Sequence, residues 1–236
     1  MRLNSFIAKS GFCSRRKAAD YVKNGKVQVN GKMVLEPWLE IKSGDSVAVG
    51  GKAISCQDHS YIIINKPKGV TSTVEDSFAA KKVVDLVPKK YGRLYPVGRL
   101  DKESEGLMIL TNDGELCYRI THPKFQIEKE YAVSVEGMIR GPDLEKIRKG
   151  VKDKEEHLKV RSAVIVSSNK DRTDLDVVIC EGKKRHIRRL FKQLGFSVID
   201  LTRVRIGSLE LGKLRPGSFK AMERESIYKL VLGKIF

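Results

Sequence analysis

Beyond residue 60 the chain is dominated by five runs with strand character, 61–65, 107–111, 131–135, 160–166 and 175–179, which do not alternate regularly with helical segments. Helical patterns stand only near 114–120, 144–149 and 185–194, the last followed by Gly195 as a C-terminal cap. A doubly wound parallel sheet needs a helix after nearly every strand, because each crossover must travel back along the sheet. The pattern therefore predicts an α+β fold over 59–236, with a mixed, mainly antiparallel sheet flanked by helices.

The first 58 residues read as a smaller module. Leu3, Ile7 and Ala8 mark a short helix, and Ser14 caps a second one that starts at Arg15 and is ended by Gly25. A strand over 26–29 runs into Asn30-Gly31, a pair that tolerates the positive φ angles of a tight hairpin, and 32–34 pairs back before a further strand at 45–49. The order is helix, helix, hairpin, strand, and the polar stretch 55–59 forms the joint to the larger part.

Charge narrows the partners. With 46 Lys and Arg against 29 Asp and Glu, the formal net charge of +17 favours a polyanion, and nucleic acid leads that class. A membrane surface fits less well, because the basic residues are dispersed and no apolar run approaches spanning length. The expectation is a cytoplasmic protein with no signal peptide and no anchor. Cys13, Cys56, Cys117 and Cys180 form no CxxC pair, and His59, His122, His157 and His186 are equally scattered, which argues against a zinc centre or a disulfide framework. Gly50-Gly51-Lys52 lacks the upstream glycine of a P-loop and is followed by Ala53, and no GxGxxG opens a helix. No nucleotide cofactor is expected, and no metal.

Several residues are candidates for chemistry or binding. In the module, Arg15, Arg16, Lys17, Lys23, Lys26 and Lys32 gather where the second helix meets the hairpin and can face phosphates, although a solvated helix face explains them equally from charge alone. Asp101 follows Tyr95-Pro96-Val97-Gly98-Arg99-Leu100, a setting that can hold an acid at a cleft rim; a lone loop Asp is more commonly a turn residue. Period-two alternation puts Lys129 and Tyr131 on one strand face, where a tyrosine is usually half-buried core. The run 181–191 carries Lys183, Lys184, Arg185, Arg188 and Arg189 at the start of a helix whose Ile187, Leu190, Phe191 and Leu194 form an apolar stripe. Cations are disfavoured at a helix N-terminus by its dipole, so phosphates or a carboxylate are expected beside them, with a solvated basic face as the alternative.

Gly98-Arg99-Leu100-Asp101 followed by Glu105-Gly106-Leu107-Met108-Ile109-Leu110-Thr111-Asn112-Asp113-Gly114 resembles the catalytic-aspartate segment of the RsuA/RluB-type pseudouridine synthases. Asn65-Lys66-Pro67-Lys68-Gly69-Val70 upstream, with Lys129-Glu130-Tyr131 and the 181–190 run downstream, match in the same order, and the module resembles the S4-like RNA-binding domain that this family often carries. The resemblance extends from about Leu3 to Lys220. It implies isomerisation of a uridine in ribosomal RNA or a ribosomal subunit precursor, by a monomer without cofactor or metal. It further implies that Asp101 is the catalytic carboxylate, that Tyr131 lies against the uracil, and that Arg188 is the cation keeping Asp101 ionised. Arg99, Lys129, Lys183, Lys184, Arg185 and Arg189 are then RNA contacts. One departure is His186, where the family usually has glutamine; Lys102 and Glu103 stand at variable positions. Thr71-Ser72-Thr73-Val74-Glu75-Asp76 and Val83-Val84-Asp85-Leu86 are more similar to the branch acting on large-subunit RNA. A non-catalytic ribosome-assembly protein would explain the charge and the module but not the collinear Asp101, Tyr131 and Arg188. An RNA methyltransferase would need the glycine-rich nucleotide loop that is missing.

Overall fold

The computed structural model describes residues 1–74 and 80–233. It divides into two compact units, Met1–His59 with Lys89–Arg93, and Ser60–Pro88 with Leu94–Phe236. In the first unit, α1 (Leu3–Lys9) and α2 (Arg15–Lys23) precede four short strands, β1 (Val27–Val29), β2 (Lys32–Met33), β3 (Val47–Val49) and β4 (Lys52–Ile54). Ser14 caps α2, its hydroxyl accepting the Lys17 N–H at 3.3 Å. Asn30 and Gly31 take φ of 52° and 76°, the left-handed pair that the hairpin requires. The strands pair antiparallel in the order β2-β1-β3-β4. Leu3, Ile7, Ala18, Val22, Val27 and Val49 form the core beneath them. The sequence reading omits β4, a three-residue strand with two exposed positions and hence no apolar signature.

The second unit is one large sheet with helices packed on it. Its elements in order are β5 (Tyr61–Lys66), β6 (Tyr95–Pro96), β7 (Glu105–Thr111), α3 (Gly114–Thr121), β8 (Lys129–Glu136), α4 (Gly141–Lys149), β9 (Val151–Asp153), β10 (Glu156–Leu158), β11 (Ser162–Ser168), β12 (Arg172–Ile179), α5 (His186–Gln193), β13 (Val198–Ile206), β14 (Leu209–Glu210), β15 (Phe219–Met222) and α6 (Arg224–Leu232). The nine-stranded sheet runs β11-β12-β8-β13-β7-β5-β15, with β14 added to β13 and β6 to β7, while β9 and β10 form a separate hairpin. All its pairs are antiparallel except β13 with β7. The α+β class and the mixed sheet agree with the expectation. The sequence reading leaves out β13, β15 and α6, and β13 lies at the sheet's centre.

Alternation along β8 buries Lys129, Tyr131, Val133 and Val135 on one face. β5 is buried at all six positions, as an uninterrupted apolar run demands when both sheet faces are covered. Leu107, Ile109, Leu116, Ile120, Ile206 and Ile227 join β7, β13, α3 and α6 in one core. Asp113 anchors that region: it caps α3 through the Glu115 and Leu116 N–H groups and accepts the Tyr61 and Tyr228 hydroxyls at 2.8 and 2.7 Å. Among the described residues no helix is long and apolar enough to cross a membrane.

The parallel junction of β7 and β13 depends on a glycine. Gly106 takes φ of 108°, and a Cβ there would stand 2.3 Å from the Arg203 carbonyl oxygen. Backbone cannot yield as a side chain does, so Gly106→Ala is expected to destabilise the protein by about 2–4 kcal/mol. Urea unfolding of the variant measures this, and a loss below about 0.5 kcal/mol, the level of an ordinary surface change, would contradict it.

Candidate active site

Asp101 lies in the loop from β6 to β7, and the loop is held from two sides. Within it, the Ser104 N–H donates to the Asp101 carbonyl at 3.0 Å. Buried Ser72 clamps the preceding residue in both directions, its hydroxyl donating to the Leu100 carbonyl at 2.7 Å and accepting the Leu100 N–H at 3.0 Å. The Gly69 N–H donates to the Lys102 carbonyl at 2.9 Å. The 66–72 segment that makes these contacts is itself stapled by Lys66, a fully buried lysine whose ammonium donates to the Pro67 and Val70 carbonyls at 2.9 and 2.8 Å. Burial pulls the Lys66 ammonium down to about 8, against the attraction of Glu105, Glu103 and Asp101.

A small cleft, open to solvent, lies above this loop. The loop contributes Asp101 and Ser104, β8 contributes Tyr131, and the segment entering α5 contributes Arg185 and His186, with Leu201 of β13 on the apolar side. Asp101 and Leu201, far apart in sequence, thus meet because β8 and β13 are neighbours and α5 connects β12 to β13. Tyr131 is buried, directly opposite Arg203 in the β8–β13 register.

The cations separate into distinct environments. The arginine within ion-pair distance of Asp101 is Arg185, with Nη1 3.7 Å from Oδ2; the expected partner, Arg188, instead donates to the carbonyls of Val198 at 3.0 Å and Glu103 at 3.2 Å. The cause is local geometry. Arg185 adopts a left-handed conformation as the N-cap and α5 begins only at His186, so Lys183, Lys184 and Arg185 precede the helix rather than lie on it. Burial lowers the Arg188 pKa, with Arg185 adding to the shift and Asp101, Glu103 and Asp200 opposing it. Arg188 therefore still feels Asp101 while bracing the loop two residues beyond it.

Two of the expected RNA contacts have protein partners in the structure. Arg189 is neutralised by Asp153 and Glu156 of the β9–β10 hairpin, so it ties α5 to that hairpin. Lys129 is buried and donates to the Ile127 carbonyl at 2.8 Å. Its alternation with Tyr131 was read correctly, but that face is the interior one. Lys183 is half-buried between Glu181, at 2.9 Å, and the His157 carbonyl, at 2.7 Å. Arg99, Lys184 and Arg185 are exposed, as are Arg15, Arg16, Lys17, Lys23, Lys26 and Lys32 of the first unit. There Lys26 lies over the Tyr21 ring, which meets Phe12 edge to face at 5.3 Å between centroids.

Burial, with Arg203 adding to it, lowers the Lys129 ammonium to about 8. A lysine whose folded pKa is depressed carries its burial cost fully below that pKa and sheds it as pH rises towards the unfolded value. Wild-type stability relative to Lys129→Met should therefore improve by about 2 kcal/mol between pH 7 and pH 9.5. Urea unfolding of both proteins at the two pH values tests this; a difference that does not change with pH would contradict it.

Ser72, Ser104 and Arg203 were not singled out from sequence. Ser72 stands inside the quoted 71–76 segment without a role given to it, Ser104 lies just before the quoted Glu105-Gly106 pair, and a small polar residue near a glycine-containing turn is the signal that marks both. Arg203 is buried in β13, donating to the Leu107 carbonyl at 2.7 Å, and nothing in an unrecognised strand could have flagged it.

Residues 60–193 match the RNA pseudouridylate synthase family, and residues 1–47 match the S4 domain. Among curated proteins, the chain is 35% identical over 231 residues to ribosomal large subunit pseudouridine synthase B of Bacillus subtilis (strain 168), covering 97% of this chain and 95% of that one. It is 34% identical to an uncharacterized RNA pseudouridine synthase of Aquifex aeolicus (strain VF5), covering 98% and 96% of the two chains. Among solved structures, a crystal structure of pseudouridylate synthase is similar with a TM-score of 0.68 and 26% identity, over 98% of this chain and all of that one. A family match over more than half the chain, full-length relatives and a shared fold agree: the chain belongs to the RNA pseudouridylate synthase family, as an RsuA/RluB-type enzyme with an S4 domain at its N-terminus.

Proposed function

We propose that this enzyme converts a uridine of large-subunit ribosomal RNA into pseudouridine, acting in the cytoplasm as a monomer, with Asp101 as its reacting carboxylate. The observation that carries the reading is the cleft itself, which brings Asp101, Tyr131 and Arg185 together from three separate stretches of chain. The reaction breaks the N1–C1′ glycosidic bond, turns the uracil, joins C5 to C1′, and exchanges the proton on C5 for one on N1. Nothing is oxidised or hydrolysed, so the chemistry calls for no cofactor. It calls for an ionised carboxylate near the ribose, acting as nucleophile or base, and for walls that retain the detached base. Tyr131 supplies a wall against the uracil face and a hydroxyl able to relay the C5 proton.

A stacked uridine cannot enter such a cleft, so the target is unpaired or flipped out at a cost of a few kcal/mol. Phosphate contacts by Arg99, Lys184 and Arg185 offset this, and the six exposed cations of the S4 domain add a second, tethered contact that raises effective concentration without touching the reacting base. The large-subunit choice is supported by the name of the Bacillus subtilis relative and by the 71–76 and 83–86 segments, of which Glu75 and Asp76 lie outside the described residues. Purified protein should release tritium from C5-labelled uridine in large-subunit ribosomal RNA. Pseudouridine mapping in cells with and without the protein should show one site lost from that RNA. Binding without release would favour a non-catalytic assembly protein, and a lost site in small-subunit RNA would overturn the choice of target.

A further inference from the structure

Trp38, the single tryptophan of the chain, stands at a turn in the first unit and is 56% exposed. The turn spans 36–39: the Leu39 N–H donates to the Glu36 carbonyl at 3.2 Å, with Pro37 at the second position, where its fixed φ favours the bend. The same turn closes the start of α1. The Asn4 N–H donates to the Pro37 carbonyl at 2.9 Å and the Leu3 N–H to the Leu39 carbonyl at 2.8 Å, two groups that a helix cannot satisfy within itself. All three bonds use backbone atoms, so the turn needs no indole. Pro37 is buried, and Val34 and Leu39 pack on the core of the unit, which leaves Met33, Leu35 and Trp38 outside. Among the described residues the Trp38 side chain has no hydrogen bond, cation or ring contact.

Single apolar side chains at a surface need no explanation, but three in one rigid loop do. Their surroundings select the occupant. A Cβ at Gly25 would lie 3.1 Å from the Met33 sulfur and 3.7 Å from Leu35 Cδ2, so those two side chains rest on the turn after α2, which exposed Lys23 and Lys26 flank. Lys32, also exposed, precedes Met33. A protein partner or a second copy could cover the apolar side chains but would leave these cations without counterions. A nucleotide carries a flat apolar face and a phosphate together. In a duplex the base faces are covered by their stacked neighbours, so the base able to meet the indole is an unpaired one.

We propose that Trp38 stacks on an unpaired base of the RNA substrate, other than the reacting uridine, while Lys23, Lys26 and Lys32 hold the phosphates beside it. The inference rests on the RNA pseudouridine synthase reading above. It gives the S4 domain a preference for RNA with unpaired bases, which cations alone cannot supply, because phosphates are present on every strand. Stacking tolerates any base, so the contact selects RNA structure and leaves the choice of uridine to the catalytic unit. The backbone bonds of the 36–39 turn hold the indole in place before RNA arrives, which reduces the ordering cost of binding.

The test uses the full-length protein, in which tryptophan emission reports Trp38 alone. The probes are an oligoadenylate of about twelve nucleotides and a duplex with the same number of phosphates. Saturating oligoadenylate should quench the emission by about half, whereas the duplex should leave it within about a tenth of its starting value. Trp38→Ala should weaken oligoadenylate binding by about tenfold without changing the slope of log affinity against log salt, and Trp38→Phe should bind within about threefold of wild type. Lys26→Met should instead lower that slope by about one and weaken both probes. No quenching at saturating oligoadenylate, equal quenching by the duplex, a Trp38→Ala that binds as wild type, or a Lys26→Met with the wild-type slope would each overturn the proposal. So would an emission that shifts with protein concentration in the absence of RNA, which would make a second copy the occupant. If Trp38→Ala fails to fold, the contrast between the two probes on wild-type emission decides alone. Wild-type protein that binds neither probe and releases no tritium from any ribosomal RNA would instead remove the functional reading, and this inference with it.

Discussion

Asp101→Asn is expected to lower the single-turnover rate of tritium release by at least about 10⁴-fold, the scale at which loss of an essential reacting group is usually felt. The amide keeps the shape of the carboxylate and the Ser104 N–H to carbonyl turn that holds residue 101, because that turn uses backbone atoms only. It removes the charge, which no neighbour replaces. RNA binding should be retained within a few-fold, since the exposed cations of both units are untouched. The Arg185 guanidinium, relieved of the Asp101 carboxylate 3.7 Å away, becomes more available to phosphate, so affinity is expected to rise slightly at low salt. Release within about tenfold of wild type would remove Asp101 from the chemistry.

The second large effect is assigned to Arg188. Its two carbonyl contacts join the residue after next from Asp101 to the start of β13, so Arg188→Met frees one side of the Asp101 loop while leaving the Ser72 clamp on the other. A misplacement of about 1 Å at a reacting group costs on the order of 100-fold in rate, and that is the loss expected here. Arg188→Lys should recover little of it, because one ammonium cannot span both carbonyls as the planar fork does. Arg185→Met, which removes an exposed partner 3.7 Å from the carboxylate, is expected to cost only about tenfold and to weaken RNA binding as well. The reverse ranking, with Arg185→Met the more damaged and Arg188→Lys near wild type, would mean that charge beside Asp101 governs the rate and that bracing does not.

What could be read in advance divides along physical lines. Asp101, Tyr131, Lys183, Arg185 and His186 line one cleft, whereas the resemblance paired Asp101 with Arg188. Which arginine meets Asp101 could not be read, because Arg185 and Arg188 differ only in where the helix starts, and a left-handed non-glycine N-cap leaves no compositional trace. Lys129 shows the opposite case: its strand face followed from alternation, but whether that face was solvent or core depended on what packs there. β13 escaped because Asp200, Thr202, Arg203 and Arg205 break its apolar pattern, and Arg203 is buried only because the Leu107 carbonyl receives it. The central strand of the sheet thus looked like a polar loop.

That strand also orders events during synthesis. β8, β12 and β11 can pair with one another as soon as they leave the ribosome, and β5 can pair with β7, but the two groups have no common strand until residues 198–206 arrive between them. β15 must then return to β5, across roughly 150 residues of chain. Such late, long-range closure makes folding slow and leaves the unpaired edges of β8 and β7 exposed in the meantime, the condition in which chains aggregate or call on chaperones. A nascent chain stalled before residue 198 therefore holds two separate half-sheets, with Asp101 in one and Tyr131 in the other.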